Sequence, residues 1–157
     1  MIISDSTTPI ILLDLDRVDL LSNLFPKVLI PKAVYHEVTA KYHKMLPTFI
    51  SVQTVASSEV LETLKLLLDE GESEAIALAI SLQSPLIIDE KKGRKIAKQE
   101  GVKIIGLLGI LYLNIKKGYI SIEDAKLFLD DAISHGYRIS TNLIEQMLTK
   151  IGSKIAF

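Results

Sequence analysis

The sequence predicts an α/β protein of three layers, α/β/α, in which helices cover both faces of a short, mostly parallel central sheet. Short apolar runs of the kind that form strands alternate with longer segments whose apolar residues recur at helical spacing. A strand, a crossover helix and a second strand give a parallel pair, and parallel sheets are buried on both faces. The 157 residues are 48% hydrophobic, which is enough for one such core.

The first half of the chain contains two strands and three helices, with one less regular stretch. Thr8 and Pro9 supply an N-cap and a first-turn proline for the first helix, and Pro26 stops it. In chain order we predict a strand at 2–4, a helix from Pro9 to Pro26, a strand at 28–30, a helix from Pro31 to about 43, an irregular or extended stretch at 47–57 and a helix at 60–68.

The second half repeats the alternation and then becomes helical. We predict a helix at about 72–83, a strand at 86–88, a basic helix ending at Gly101, a strand at 103–105, an apolar helix at 107–117, and helices from Ser121 and from about 140 to 151. The whole chain, 1–157, is expected to form one domain, with residues from about 120 to 157 as a helical C-terminal extension.

Composition excludes several classes of function. The chain has no cysteine, which removes thiol catalysis and zinc–thiolate sites and suits a cytoplasmic protein. Its longest nearly unbroken apolar stretch, 104–113, is about half of the ~20 residues that span a bilayer, so we expect no membrane segment. The start shows no basic region of a signal peptide. With 18 basic and 19 acidic residues, no global positive field attracts nucleic acid.

Acidic residues follow the predicted strands, which is where open parallel sheets bind ligands. Asp5 ends the first strand, Asp89 and Glu90 end the third, and Glu37 lies in the helix after the second. Taken singly, Asp5 and Asp89 could be ordinary capping residues, and Glu37 a surface glutamate. Because the carboxyl ends of parallel strands meet at one edge, we expect these acids to converge there.

A second group of acids precedes the helix predicted at about 72–83. Asp69, Glu70 and Glu72 are expected to be exposed, as acids favoured near a positive helix N-terminus. Glu74 is followed by six apolar residues, 75–80, that leave the helix no polar face. We therefore expect Glu74 to be held against protein, where a carboxylate needs a capping bond, a lysine, a proton or a metal.

The chemistry of these residue types favours a hard cation. Carboxylates without histidine or cysteine suit Mg²⁺ or Mn²⁺, which prefer oxygen ligands. Such ions activate water and neutralise charge at a phosphodiester. A basic run follows the acids at 89–90 and can be a solvated helix face or a phosphate-binding surface; its cations are Lys91, Lys92, Arg94, Lys95 and Lys98.

Five blocks resemble, in order and spacing, the PIN-domain ribonucleases, in particular their small VapC-like toxin branch. The resemblance covers residue 1 to about 118 and implies a compact α/β/α fold with Mg²⁺- or Mn²⁺-dependent endonuclease activity on RNA. It implies four metal-binding acids, Asp5, Glu37, Glu74 and Asp89. The blocks are ISDSTTPI, LFPKVLIPKAVYHEV, GESEAIALA, LIIDEKKGRKIA and GVKIIGLLGIL.

The resemblance also implies finer features of the site and its partners. Glu90 shares or replaces the role of Asp89, and Ser6 resembles a small hydroxyl residue that borders the metal pocket. Glu74 stands where many relatives carry aspartate. RNA phosphates are expected on Lys91, Lys92, Arg94 and Lys95, and the implied protein partners are a second copy of the chain, as a homodimer, and a small antitoxin.

Two alternative functions stay open at the level of sequence. The segment ILLDLD is similar to the Asp-x-Asp motif of haloacid-dehalogenase-like phosphatases, with Asp14 as the nucleophile at a strand end. The helical spacing around Asp14, and Arg17-Val18 in place of Gly-Thr, argue against this interpretation. The other alternative is a catalytically silent PIN-like module whose groove binds a protein partner.

Overall fold

The computed structural model describes residues 1–155. Its five strands are β1 (Ile2–Ser4), β2 (Val28–Pro31), β3 (Ile50–Gln53), β4 (Leu86–Ile87) and β5 (Ile104–Ile105). They form one sheet in the order β3-β2-β1-β4-β5, and every neighbouring pair is parallel. The predicted α/β/α class is confirmed. The stretch predicted as irregular or extended contains the edge strand β3.

Helices cover both faces of the sheet. Over residues 1–155 they are α1 (Thr7–Asp14), α2 (Asp19–Ser22), α3 (Lys32–Lys41), α4 (Glu59–Lys65), α5 (Glu70–Leu82), α6 (Lys91–Gln99), α7 (Leu107–Lys116), α8 (Ile122–Ser134) and α9 (Thr141–Ile155). None of the helices in this part of the chain is long and apolar enough to cross a membrane.

The strand pleat divides the core into two clusters. Successive strand residues point to opposite faces, so Ile2 packs in one cluster and Ile3 in the other. Ile3 joins Ile76 of α5 and Ala97 of α6, whereas Ile2 joins Leu12 of α1 and side chains of α3 and α7. The apolar face predicted for α5 is therefore buried against the sheet.

The C-terminal helices belong to the core on the Ile2 face. Phe128 of α8 and Met147 of α9 are buried in the same cluster as Ile110 and Leu111 of α7. Helices α8 and α9 therefore extend a layer of the domain instead of standing apart from it.

The first helix differs from its prediction in two ways. One continuous helix from Pro9 to Pro26 was wrong, because α1 ends at Asp14 and α2 starts at Asp19. Asp16 has a left-handed φ of 56°, and the backbone N–H of Arg17 bonds to a carbonyl of the last turn. Aspartate tolerates this conformation better than most residues, which allows the stop without glycine.

The N-cap of this helix also lies at a different residue from the one predicted. Ser6, not Thr8, occupies the N-cap position. Thr8 lies inside the helix, where it is buried, and its hydroxyl donates to the carboxylate of Asp89. The residue predicted to start a helix thus links α1 to the end of β4.

One buried amide joins α2 to α7. Asn114 is 0% exposed, and its Nδ2 donates to the carbonyl oxygens of Leu20 and Ile110, each at 2.9 Å. Its Oδ1 accepts from Asn23 Nδ2 at 3.1 Å. These hydrogen bonds link α7 to the end of α2, so an apolar side chain at this position would leave buried polar groups without partners.

We expect Asn114→Leu to lower the free energy of unfolding by about 1–3 kcal/mol, because the Leu20 carbonyl loses its buried donor. Chemical denaturation of the full chain measures this. Asn142→Leu, at an exposed position of α9, is the control and should change stability little. Equal stability of the two variants would contradict the role assigned to Asn114.

Candidate active site

The sheet order places a switch point between β1 and β4. From β1 the chain builds β2 and β3 on one side, then crosses to build β4 and β5 on the other. Open α/β sheets bind ligands at such a point, outside the carboxyl ends of the strands. Asp5 follows β1 and Asp89 follows β4, and the backbone N–H of Asp5 donates to the Ile87 carbonyl at 2.9 Å. The topology therefore brings two of the predicted acids to one place.

Glu37 of α3 reaches the same place. Ser6 Oγ donates to Glu37 Oε2 at 3.3 Å, which ties the residue after Asp5 to this carboxylate. The other oxygen, Glu37 Oε1, is buried and has no hydrogen-bond partner. A Cβ at Gly71 would overlap that oxygen, so the glycine at the start of α5 is what leaves room for it.

The pKa values of Asp5 and Glu37 reflect the environment of each carboxyl group. Burial, opposed by the Ser6 backbone N–H and reinforced by the charges of Glu37, Asp69 and Asp89, raises the pKa of Asp5 from 3.8 to about 7. Burial and the charge of Asp69 raise the pKa of Glu37, although the Ser6 hydroxyl lowers it. Both carboxyls are therefore poorly stabilised as anions without a cation.

Asp69 is an acid that the sequence analysis left outside the site. It is the N-cap of α5, and its Oδ1 accepts from the Glu72 backbone N–H at 2.8 Å. Its charge raises the pKa of Asp5, Glu37 and Glu72, so it lies close to all three. The signal was the Asp-x-x-Glu spacing of residues 69–72, which is typical of a capping box at a helix start.

Glu72 is buried, at 8% exposure, and the expectation that it would be exposed was wrong. The reason is the start of α5: the helix begins at Glu70, two residues earlier than predicted, so Glu72 is its third residue. The side chain turns inward. Burial raises its pKa to about 9, together with a side-chain hydrogen bond with Asp69 and the negative charge of Asp69.

Glu74 is half-buried and satisfies one of the options that the sequence left open. Its Oε1 accepts from the backbone N–H of Ala33, in the first turn of α3, at 3.1 Å. Glu74 and Glu37 both line a cavity of 580 Å³ between α3 and α5. The remaining residues around this cavity are Lys32, Ala33, His36, Asp69, Glu70 and Gly71.

Asp89 and Glu90 both accept bonds at helix starts. Asp89 Oδ1 accepts from the Leu107 N–H at 2.8 Å, and Oδ2 accepts from the Thr8 hydroxyl. Glu90 is the N-cap of α6 and accepts from the Gly93 N–H at 2.8 Å. Asp89 thus has a capping role, on α7, while its charge also acts on Asp5.

The predicted RNA-binding cations lie on α6. Lys91, Lys92 and Lys95 are exposed, in the first turns of the helix that follows Asp89 and Glu90. Arg94 is half-buried, and its Nη1 donates to the Ile88 carbonyl at 2.7 Å. Three lysines are therefore available to a ligand, whereas Arg94 is held against the end of β4.

Asp14 lies away from this edge. It is the last residue of helix α1, is exposed, and accepts from the Tyr137 hydroxyl at 2.6 Å. The phosphatase alternative requires this aspartate at the end of a strand, so that interpretation is wrong.

The acidic side chains at this end of the sheet offer oxygen ligands to a divalent cation. Among residues 1–155, no three Asp, Glu or His side chains are placed so that they could hold an ion as they stand. Two buried carboxylate oxygens nevertheless have no partner, Glu37 Oε1 and Glu72 Oε2. The donors are all oxygens, which Mg²⁺ and Mn²⁺ prefer. The residues therefore fit such a cation, which would have to draw the carboxylates together.

Fold and site together define a class: a doubly wound α/β protein with a carboxylate cluster at its switch point. The family described as DUF3368, a PIN domain, matches residues 1–153. The chain belongs to this PIN-domain family, as the resemblance of its sequence blocks predicts. PIN domains are generally nucleases that typically use divalent metals, which supports a hydrolase acting on nucleic acid. The sequence matched none of the curated proteins with which it was compared.

We predict that stability without metal falls as pH rises. The folded-state pKa of Asp5, about 7, lies above the ordinary 3.8, so the folded protein binds the extra proton between these values. The contribution is present below pH 3.8 and is lost as pH rises to about 7, on the order of 4 kcal/mol in all. Asp5→Asn should flatten this part of the profile.

The measurement is chemical denaturation in chelator at several pH values between 4 and 7. Glu37 and Glu72 contribute with the same sign, so the difference between wild type and Asp5→Asn is the relevant quantity. Asp130→Asn, at an exposed position of α8, is the control. Parallel profiles for wild type and Asp5→Asn would show that Asp5 does not titrate in this range.

Proposed function

We propose that the chain is a Mg²⁺- or Mn²⁺-dependent endoribonuclease of the VapC-like branch, the toxin of a toxin–antitoxin pair, acting on cytoplasmic RNA. The observation that carries the proposal is the pair Asp5 and Glu37 at the switch point. Asp5 is buried and Glu37 is half-buried, the anionic forms of both are disfavoured, and the buried Oε1 of Glu37 has no partner. In a PIN domain, a cation is the partner that such a pair requires.

Each acid has a distinct part in this proposal. Asp5 and Glu37 would hold the cation, and the Ser6 hydroxyl orients Glu37 through its bond to Oε2. Glu74 contributes from the cavity that it shares with Glu37, while its Oε1 anchors the first turn of α3. Asp89 has both oxygens engaged in hydrogen bonds, and its charge would act on the cation from beside Asp5.

Glu90 follows Asp89 directly and caps α6. Because its carboxylate is exposed, it is accessible to share the role of Asp89 toward the cation. When bound, Mg²⁺ or Mn²⁺ supplies an acidified water and neutralises charge on the phosphodiester. The protein supplies the fixed carboxylates and the positive helix starts that aim at the edge.

Binding of RNA is assigned to the start of α6. Lys91, Lys92 and Lys95 are exposed immediately after Asp89 and Glu90, so they can hold phosphates next to the acids. Arg94 adds its remaining guanidinium N–H groups while staying fixed on Ile88. Contacts of this kind carry no base preference, and the affinity for RNA should fall with added salt.

Two protein partners complete the proposal. A small antitoxin would place a segment in the acidic groove and so block the site, and its recognition chemistry would be cationic. The toxin itself would act as a homodimer. Both partners are proposed from the resemblance to the VapC-like branch.

The test is cleavage of RNA by the purified chain. We expect cleavage in Mn²⁺ or Mg²⁺, no cleavage in chelator, and a loss of more than about 100-fold in Asp5→Asn and Glu37→Gln, beyond the effect typical of residues outside the ligand set. Asp130→Asn, exposed on α8, should keep wild-type activity.

Two results would contradict the proposal. Cleavage that survives both chelator and Asp5→Asn would exclude the metal mechanism. A chain that binds Mn²⁺ but cleaves no RNA under any condition would instead be a silent PIN-like binding module, and capture of a basic protein segment by the groove would then be the activity to measure.

A further inference from the structure

Glu72 is a buried carboxylate to which the proposed function gives no part. It is 8% exposed, and its Oε2 has no hydrogen-bond partner. Neither of the other two acids in the first turn of α5 and its cap shares this state, since Asp69 and Glu70 are both exposed. A buried carboxylate without a donor costs several kcal/mol as an anion unless a cation approaches it.

Glu72 Oε2 is packed closely against the start of α6. A Cβ at Gly93, in the first turn of α6, would lie 2.6 Å from Glu72 Oε2 and 3.6 Å from its carboxyl carbon. Gly93 thus permits the carboxylate to lie against α6, as Gly71 does for Glu37. The two partnerless carboxylate oxygens of the cluster are each accommodated by a glycine at a helix start.

The charges around Glu72 are all negative. The charges of Asp69, Asp5 and Glu90 raise its pKa, a side-chain hydrogen bond links it to Asp69, and no salt bridge to Glu72 occurs among residues 1–152. The lysines of the same stretch of α6 are exposed and turn to solvent. A positive group that pairs with Glu72 would therefore have to come from outside residues 1–152.

We propose that Glu72 is an additional carboxylate ligand of the cation, on the side of the site where α5 packs against the start of α6. The inference rests on the proposed metal dependence and goes beyond it, because neither the sequence prediction nor the proposed ligand set includes Glu72. It makes the start of α5 a source of two site acids: Glu72 toward α6 and Glu74 toward α3.

The experiment is calorimetric titration of Mn²⁺ into the full chain without RNA, together with melting curves in chelator and in Mn²⁺. We expect Glu72→Gln to weaken Mn²⁺ binding by about 10-fold or more and to reduce the stabilisation that Mn²⁺ gives. In chelator the variant should be at least as stable as wild type, because a buried acid has been removed. Glu123→Gln, an exposed first-turn glutamate of α8, is the matched control and should bind Mn²⁺ as wild type does.

A second variant covers failure of the first to fold. Gly93→Ala keeps every acid but places a methyl group against Glu72 Oε2, so it should also weaken Mn²⁺ binding. Wild-type Mn²⁺ affinity in Glu72→Gln, or in Gly93→Ala if Glu72→Gln is unfolded, would overturn the inference and leave the proposed ribonuclease intact. A wild-type chain that binds no Mn²⁺ would overturn both.

Discussion

The repulsion among carboxylates gathered at the carboxyl ends of β1 and β4 is the constraint on which the site depends. Asp5 and Glu72 are buried there beside the half-buried Glu37, and no lysine or arginine within residues 1–152 forms a salt bridge with any of the three. Such a group is stable only with protons, directed N–H donors or a cation. Each of these compensations accounts for a different feature of the fold.

Directed donors come from helix starts that meet at this edge. Backbone N–H groups in the first turns of α5, α6 and α7 donate to Asp69, Glu90 and Asp89 respectively. A helix N-terminus carries a partial positive charge and unpaired donors, so each of these acids is stabilised where it lies. Two buried oxygens of the cluster, Glu37 Oε1 and Glu72 Oε2, have no such donor.

The parallel sheet and the place where the acids meet could be predicted from the sequence because both follow from regular patterns. Alternating strands and helices predict parallel pairing, and the strand-end rule places Asp5 and Asp89 together. The burial of Glu72 was missed because it depends on where α5 begins. Asp69 caps the helix two residues earlier than the apolar pattern suggests, and this shift changes which acid faces the protein. The break at Asp16 was missed for a related reason: a left-handed residue other than glycine gives little signal in sequence.

The spacing of the acids in α5 explains why one helix can serve two sides of the site. Residues two apart in an α-helix are rotated by about 200°, so Glu72 and Glu74 point in nearly opposite directions. Glu74 bonds the first turn of α3, the helix that carries Glu37. Glu72 lies against Gly93 of α6, the helix that carries the exposed lysines. A cation bound near Asp5 and these carboxylates would therefore connect α3, which carries Glu37, to α6, which carries the lysines, through α5. Metal binding and RNA binding would then be coupled, because the start of α5 contacts both the helix with Glu37 and the helix with the lysines.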